Sequence, residues 1–290
     1  MKLDIFSHCV IDHIHIDNSI FTVSGGPACY CSFTARALKF DVKLHTKYGS
    51  DFPFADNLTQ NKISINNGPS EKLTTQFTLK IHDSERILFL ENLCDSIDYD
   101  ELISDNVLVS PVFDEISSDL LEKLKSISGF IFLDPQGFLR RKGINNKIYL
   151  ESTDLNLSKI SAIKTSPDEL NALTGISTID GMNVLQKKGI EYVILTDKQN
   201  ISLLFDGKIY SLKLPNIELY DTTGIGDIFS TTFCCTIIKE KDFLWALSFA
   251  AGSAQAALEN KEIGLDKIPS RGAIETNATY FYNTVKFREI

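Results

Sequence analysis

The sequence predicts an α/β fold: a mostly parallel sheet covered by helices on both faces, with a small β appendage. Three observations lead there. Short apolar strand-like runs alternate with helical stretches along most of the 290 residues, the rhythm of strand–helix–strand crossovers. Two glycine turns open helices, Gly25-Gly26-Pro27 early in the chain and Gly224-Ile225-Gly226 late in it. One segment, 73–90, breaks the rhythm with two strands of period two, the pattern of a one-sided hairpin.

A first strand is expected over 4–11. Gly25-Gly26-Pro27 then opens a helix over 28–39, where proline is well placed because its missing N–H is not needed in a first turn. A strand over 42–46 and a helix over 54–61 follow. The hairpin pairs 73–81 with 87–90 across His82-Asp83-Ser84-Glu85. Next come a strand over 107–109, a helix over 115–125 and a strand over 130–133. A strand over 162–164 leads into a helix over 168–173, entered through Ser166 and Glu169, the spacing of a capping box. A helix over 179–188, a strand over 192–196 and a hairpin of 202–205 with 208–214 complete the middle. Two long helices, 227–239 and 243–259, end the core. Sheets of this kind bind ligands beyond the carboxyl ends of their strands. The hairpin 73–90 is then either a lid over that rim or a plain surface ribbon.

With 43% hydrophobic residues the chain can bury one large core, and no long linker or internal repeat divides it. The net charge of −9 argues against a nucleic-acid or anionic-membrane surface. No apolar run approaches about 18 residues, and the start lacks a signal-peptide core, so a cytoplasmic protein is expected. The six cysteines form no Cys-x-x-Cys and read as buried free thiols. His13 and His15 share a strand face, but no further metal ligand stands at useful spacing.

The chemistry concentrates in 221–229. Gly224 and Gly226 sit where a loop turns into a helix whose face is marked by Ile225, Ile228, Phe229, Thr232, Phe233, Thr236 and Ile237. Backbone N–H groups at such a start are unpaired and favour an anion, and glycine allows a phosphate to approach closely. Asp227 would repel a resting anion, so a base beside the anion hole explains it better than a part of the hole. A glycine-rich turn with an acidic first-turn residue remains the plainer reading.

The string Asp221-Thr222-Thr223-Gly224-Ile225-Gly226-Asp227 resembles the C-terminal signature of the ribokinase-like (PfkB) carbohydrate kinases, Asp-Thr-x-Gly-Ala-Gly-Asp. Ile225 stands for the usual Ala, and Thr231-Thr232 for a usual Ala-Gly pair. The resemblance runs along the chain in order, through Asp12, Gly25-Gly26, the hairpin, 134–140, Glu169 and 221–227. It implies one ribokinase-like domain over 1–290, with a small lid from about 12–24 and 73–91. Residues 134–140, Asp-Pro-Gln-Gly-Phe-Leu-Arg, resemble a subset that includes archaeal sugar kinases and inositol kinases.

What the resemblance implies is a kinase moving the γ-phosphoryl of ATP to a hydroxyl of a sugar or cyclic polyol, with inositol as the first candidate. Asp227 would be the base, and the amides of Gly224, Ile225 and Gly226 the anion hole. Asp12, Gly25, Gly26 and Arg140 would hold the acceptor. Thr196, Thr223 and Gly252 would lie at the nucleotide, and Glu169 would hold Mg²⁺ through water. A monovalent cation and a homodimer through the lid are further expectations. Ser166 replaces the Asn of the family's Asn-x-x-Glu motif, Tyr30 stands near a position where ribokinase has Asn, and Asp197 and Asn200 fall where glycines are usual. A nucleoside kinase and a non-catalytic sugar-binding member are the alternatives.

Overall fold

A computed structural model describes residues 1–16, 18–66, 68–82, 85–215 and 221–289. The N-terminal half contains β1 (Lys2–Phe6), β2 (Val10–Ile16), β3 (Ser19–Gly25), α1 (Gly26–Ala37), β4 (Asp41–His45), α2 (Ala55–Gln60), β5 (Ser64–Asn66), β6 (Thr75–His82), β7 (Glu85–Asn92) and β8 (Asn106–Val109). Then come α3 (Ser118–Ile127), β9 (Phe130–Leu133), α4 (Gln136–Leu139), β10 (Arg140–Lys142), β11 (Ile148–Leu150), β12 (Ala162–Thr165), α5 (Pro167–Thr174) and α6 (Ile179–Lys187). The C-terminal part has β13 (Tyr192–Asp197), β14 (Asn200–Phe205), β15 (Lys208–Lys213), α7 (Ile225–Glu240), α8 (Phe243–Glu259), α9 (Arg271–Thr284) and β16 (Lys286–Glu289).

Among the described residues the main sheet has ten strands in the order β16-β15-β14-β13-β12-β9-β8-β1-β4-β5. It is parallel from β13 to β5 and antiparallel from β13 to β16. Both faces are buried, and the strand residues show it by alternation. Phe132, Ala162 and Ile194 join one core with residues of α1, α7, α8 and α9, such as Ala35, Phe233, Leu247 and Ile274. Ile131, Ile163 and Val193 join the other with Leu120 and Leu124 of α3, Leu170 of α5 and Met182 of α6. Phe233, fully buried and 6.2 Å from the Phe132 ring, contributes roughly 2–3 kcal/mol by leaving water.

A second sheet, β3-β2-β6-β7, stands apart from the first. Its strands fall largely within the segments expected as a lid, 12–24 and 73–91. Residues 83–84, the middle of the turn expected over 82–85, lie outside the described residues. Val10, Phe77 and Leu90 of this sheet pack with Val112, and Ile14 and Ile16 pack with Leu79. One face is therefore apolar and covered.

The structure corrects several sequence expectations. The strand over 4–11 is two strands of different sheets, broken at Ser7-His8-Cys9. His8 is tied down there, its amide donating to Glu115 Oε1 at 3.1 Å and its ring bonded to Thr75 Oγ1 at 2.9 Å. Apolar residues on both sides of the break had hidden it. Asp12 accordingly lies inside β2 and does not end the first strand. The core does not finish with two helices, because α9 packs along α8 and β16 adds to the sheet edge. The strands β3, β5, β10 and β11 also lie outside the sequence reading. The six cysteines are free and buried. Among the described residues no helix is long and apolar enough to cross a membrane.

Candidate active site

A cleft of about 270 Å³ lies where the small sheet meets the carboxyl ends of the main-sheet strands. The main sheet supplies Lys164 near the end of β12, and Asp134 follows β9 directly. The start of α7 supplies Gly224, Gly226 and Asp227, and the small sheet supplies Val10, Asp12, Phe77 and Leu88. Gln136, Arg140, Glu169, Thr222, Thr223 and Tyr30 add further polar groups to its lining.

The turn into α7 is shaped by local sequence. Gly224 is the helix N-cap at φ 78°, a left-handed conformation that costs most residues roughly 1–2 kcal/mol. A Cβ on Gly224 would lie 2.5 Å from three ring carbons of Tyr30, so glycine is needed twice over. The Ile225 amide donates to Thr222 O at 3.3 Å. It is therefore partly spent within the turn, which leaves Gly226 and Asp227 as the first-turn amides that no earlier helical carbonyl can reach. Ile225 does not line the cleft; its side chain packs with Tyr30 and Ile228. A Cβ on Gly226 would meet Lys164 Nζ at 3.4 Å, so this ammonium stands directly beside the turn.

Lys164 is a cleft residue that sequence reasoning missed. It is nearly buried, and Nζ lies 2.7 Å from Asp134 Oδ2. Burial alone would lower its pKa; the carboxylates of Asp134, Glu169 and Asp227 outweigh that and raise it, so the group stays an ammonium. The available signal was a lysine in a short strand that is otherwise uncharged and buried throughout, Ala162-Ile163-Lys164-Thr165.

Glu169 has two engagements. It closes the capping box of α5, taking the Ser166 amide on Oε2 at 2.7 Å while Ser166 Oγ accepts from the Glu169 amide at 3.3 Å. It also lines the cleft. Among the described residues no group of three His, Cys, Asp or Glu forms a metal cage. A lone carboxylate such as Glu169 could meet a hydrated Mg²⁺ only through water, an arrangement this ion accepts readily.

Thr223 and Tyr30 each bring a buried hydroxyl with no hydrogen-bond partner among the described residues. Burial, with Asp12, Asp221 and Asp227 nearby, pushes the Tyr30 phenol well above its ordinary pKa, so it remains a donor. Arg140 is anchored at the rim, donating to Val112 O at 3.0 Å and to Gln136 Oε1 at 2.7 Å.

Asp12 is 8% exposed, and its carboxylate lies over Gly25 of the neighbouring strand, in the space a Cβ there would take. Gly26, at φ 72°, joins the lining. The cleft thus gathers Asp12, Gly26, Arg140, Glu169, Thr223, Gly224, Gly226 and Asp227, with Gly25 directly beneath Asp12. It does not gather Thr196 or Gly252. Thr196 Oγ1 lies 3.4 Å from Thr165 O. At Gly252 a Cβ would meet Ile274 O at 2.7 Å and Ala278 N at 2.8 Å, so its small size serves the close approach of α8 and α9.

The model of the pfkB family of carbohydrate kinases matches residues 13–271. A ribokinase of Haemophilus influenzae is 32% identical over 127 residues, 41% of each chain. The chain thus matches less than half the length of the curated relatives. Among solved structures, a pyrophosphate-dependent kinase in the ribokinase family superposes with a TM-score of 0.82 at 20% identity, covering 94% of this chain and 99% of that one. A pyrophosphate-dependent myo-inositol-1 kinase gives 0.81 at 21% identity, covering 97% and 99%.

Proposed function

The chain belongs to the pfkB family of carbohydrate kinases, and from that premise we propose that it transfers the γ-phosphoryl of ATP to a hydroxyl of a compact sugar or cyclic polyol, with an inositol as first candidate. The observation that carries this reading is one cleft holding both halves of the chemistry. Asp12 with Gly25 and Gly26 forms a hydroxyl-binding wall. Asp227, the Gly224–Gly226 turn and Lys164 form a base beside an anion site.

The acceptor hydroxyl gives its proton to the Asp227 carboxylate as its oxygen bonds to the transferring phosphorus. The bond from that phosphorus to the donor's bridging oxygen breaks, and the leaving group departs with the electron pair. Charge spread over the transferring oxygens meets the first-turn amides and the Lys164 ammonium. A bound Mg²⁺, touched through water by Glu169, would neutralise charge on the donor phosphates. The apolar wall of Val10, Phe77 and Leu88 keeps water from competing as acceptor.

A second reading changes only the donor, to pyrophosphate. Three observations favour it. The cleft is at the small end for ligand pockets. Asp197 stands exposed at the end of β13, next to Thr196, where it would repel nucleotide phosphates. The two superposed kinases are pyrophosphate-dependent. A screen of sugars, inositols and nucleosides against ATP and pyrophosphate with magnesium decides among these. Phosphorylated inositol or sugar is the expected product. A preference for nucleosides would replace the acceptor assignment, and a folded protein inert with every pair would sink the kinase reading.

The acceptor wall has its own test. A carboxylate that takes two hydroxyls leaves a buried acceptor unpaired when a hydroxyl is missing. Asp12→Ala should raise KM for the acceptor by about 10²-fold and change KM for the donor little. Equal changes in both would show general damage instead.

A further inference from the structure

Beside the anion turn, and outside the cleft lining, lies a buried cation that the transfer chemistry does not use. Lys267 ends the 3₁₀ turn Gly264–Lys267 between α8 and α9. Its side chain and that of Asp221 have no exposure. The ammonium donates to the Asp221 carboxylate through Oδ2, to the Asp221 carbonyl at 3.2 Å and to the Thr223 carbonyl at 3.1 Å. Asp221 Oδ1 accepts from the Thr223 amide at 2.8 Å, which closes the loop on itself.

Two backbone carbonyls and a carboxylate converging on one buried point are the donor set of a hard cation. Without a positive charge at that point the oxygens would repel one another and lose solvation together. The sequence left a monovalent cation as an expectation. The residues do not fit a bound one at this point, because the ammonium already occupies the convergence of the oxygens. We propose that Lys267 is a built-in counter-ion: it does for the 221–224 loop what a bound potassium ion would do, and it frees the protein from dependence on that ion. The loop it clamps runs straight into Gly224, so the clamp sets the direction of the first-turn amides of α7. Its catalytic consequence rests on the phosphoryl-transfer reading above; its structural consequence does not.

The test exchanges tetramethylammonium chloride for potassium chloride at constant ionic strength and reads melting temperature and turnover. Wild-type protein should be indifferent to the exchange in both. Lys267→Ala removes the ammonium and leaves the oxygens. It should melt several degrees lower in tetramethylammonium and turn over about 10²-fold more slowly. Potassium or ammonium chloride should restore both, because only an ion bound to the folded state stabilises it. Lys267→Met fills the space with an apolar chain and should not respond to any salt. Wild-type protein stabilised or activated by potassium would overturn the proposal. So would a folded Lys267→Ala protein whose melting temperature is the same in all three salts. The wild-type arm decides even if the variants do not fold. The melting measurements decide even if no acceptor is ever found, so this proposal and the kinase reading can fail separately.

Discussion

Asp227→Asn should lower kcat by roughly 10²–10⁴ while the protein keeps its fold. The amide has the size of the acid but cannot take a proton from the acceptor hydroxyl. The structural cost should be small. Asp227 is in the first turn of α7, where a carboxylate adds about 0.3–1 kcal/mol through the helix dipole, and Asp134 and Glu169 stay beside Lys164 when the Asp227 charge is removed. A large fall in turnover with little change in unfolding free energy is therefore the signature of a base. Turnover close to wild type on the true substrate would remove Asp227 from that role. Because Lys164 and the turn stay in place, acceptor and donor should still bind, so KM values should move far less than kcat.

Lys164→Met should hurt both stability and turnover, and a second variant separates the two. Lys164 and Asp134 form a buried ion pair at 2.7 Å. Removing one member leaves the other charge buried alone, which costs about 3–5 kcal/mol. Replacing both with apolar residues often costs little. Lys164→Met with Asp134→Leu should thus recover much of the unfolding free energy seen by denaturant titration. It should not recover turnover, which should stay down by about 10²–10³, because no ammonium faces the transferring phosphate. If the double variant regained activity, Lys164 would be a structural partner of Asp134 and nothing more.

What was legible in the sequence was local. Gly224-Ile225-Gly226-Asp227 carries its own geometry, since a left-handed N-cap and a first-turn acid are set by adjacent residues. The capping box of Ser166 and Glu169 is local in the same way, and α8 spans Phe243–Glu259 as its apolar pattern expects. The alternating strands and helices were enough to expect a parallel sheet buried on both faces. Lys164 was not legible, because its meaning depends on Asp134, Glu169 and Asp227 arriving from three other elements. Lys267 is the same case: nothing near it in sequence says that Asp221 and Thr223 will aim three oxygens at it. Gly252 was ambiguous in the sequence for the converse reason. A small residue on a helix allows either a ligand or another helix to come close, and the packing of α9 against it was not visible in the pattern. The break at Ser7-His8-Cys9 was hidden because apolar runs continued on both sides of it.

The placement of Asp12 over Gly25 ties two positions into one unit of variation. Any side chain at 25 would evict the carboxylate from its seat, since a single Cβ already overlaps it. A drift from glycine to alanine at 25 therefore displaces the acid without altering the residue at 12. The reverse exchange, a smaller residue at 12, frees position 25 to change. Among descendants of this chain the two sites should be inherited as a pair. A substituted residue at 25 would then mark a lineage in which the proposed acceptor wall has been rebuilt.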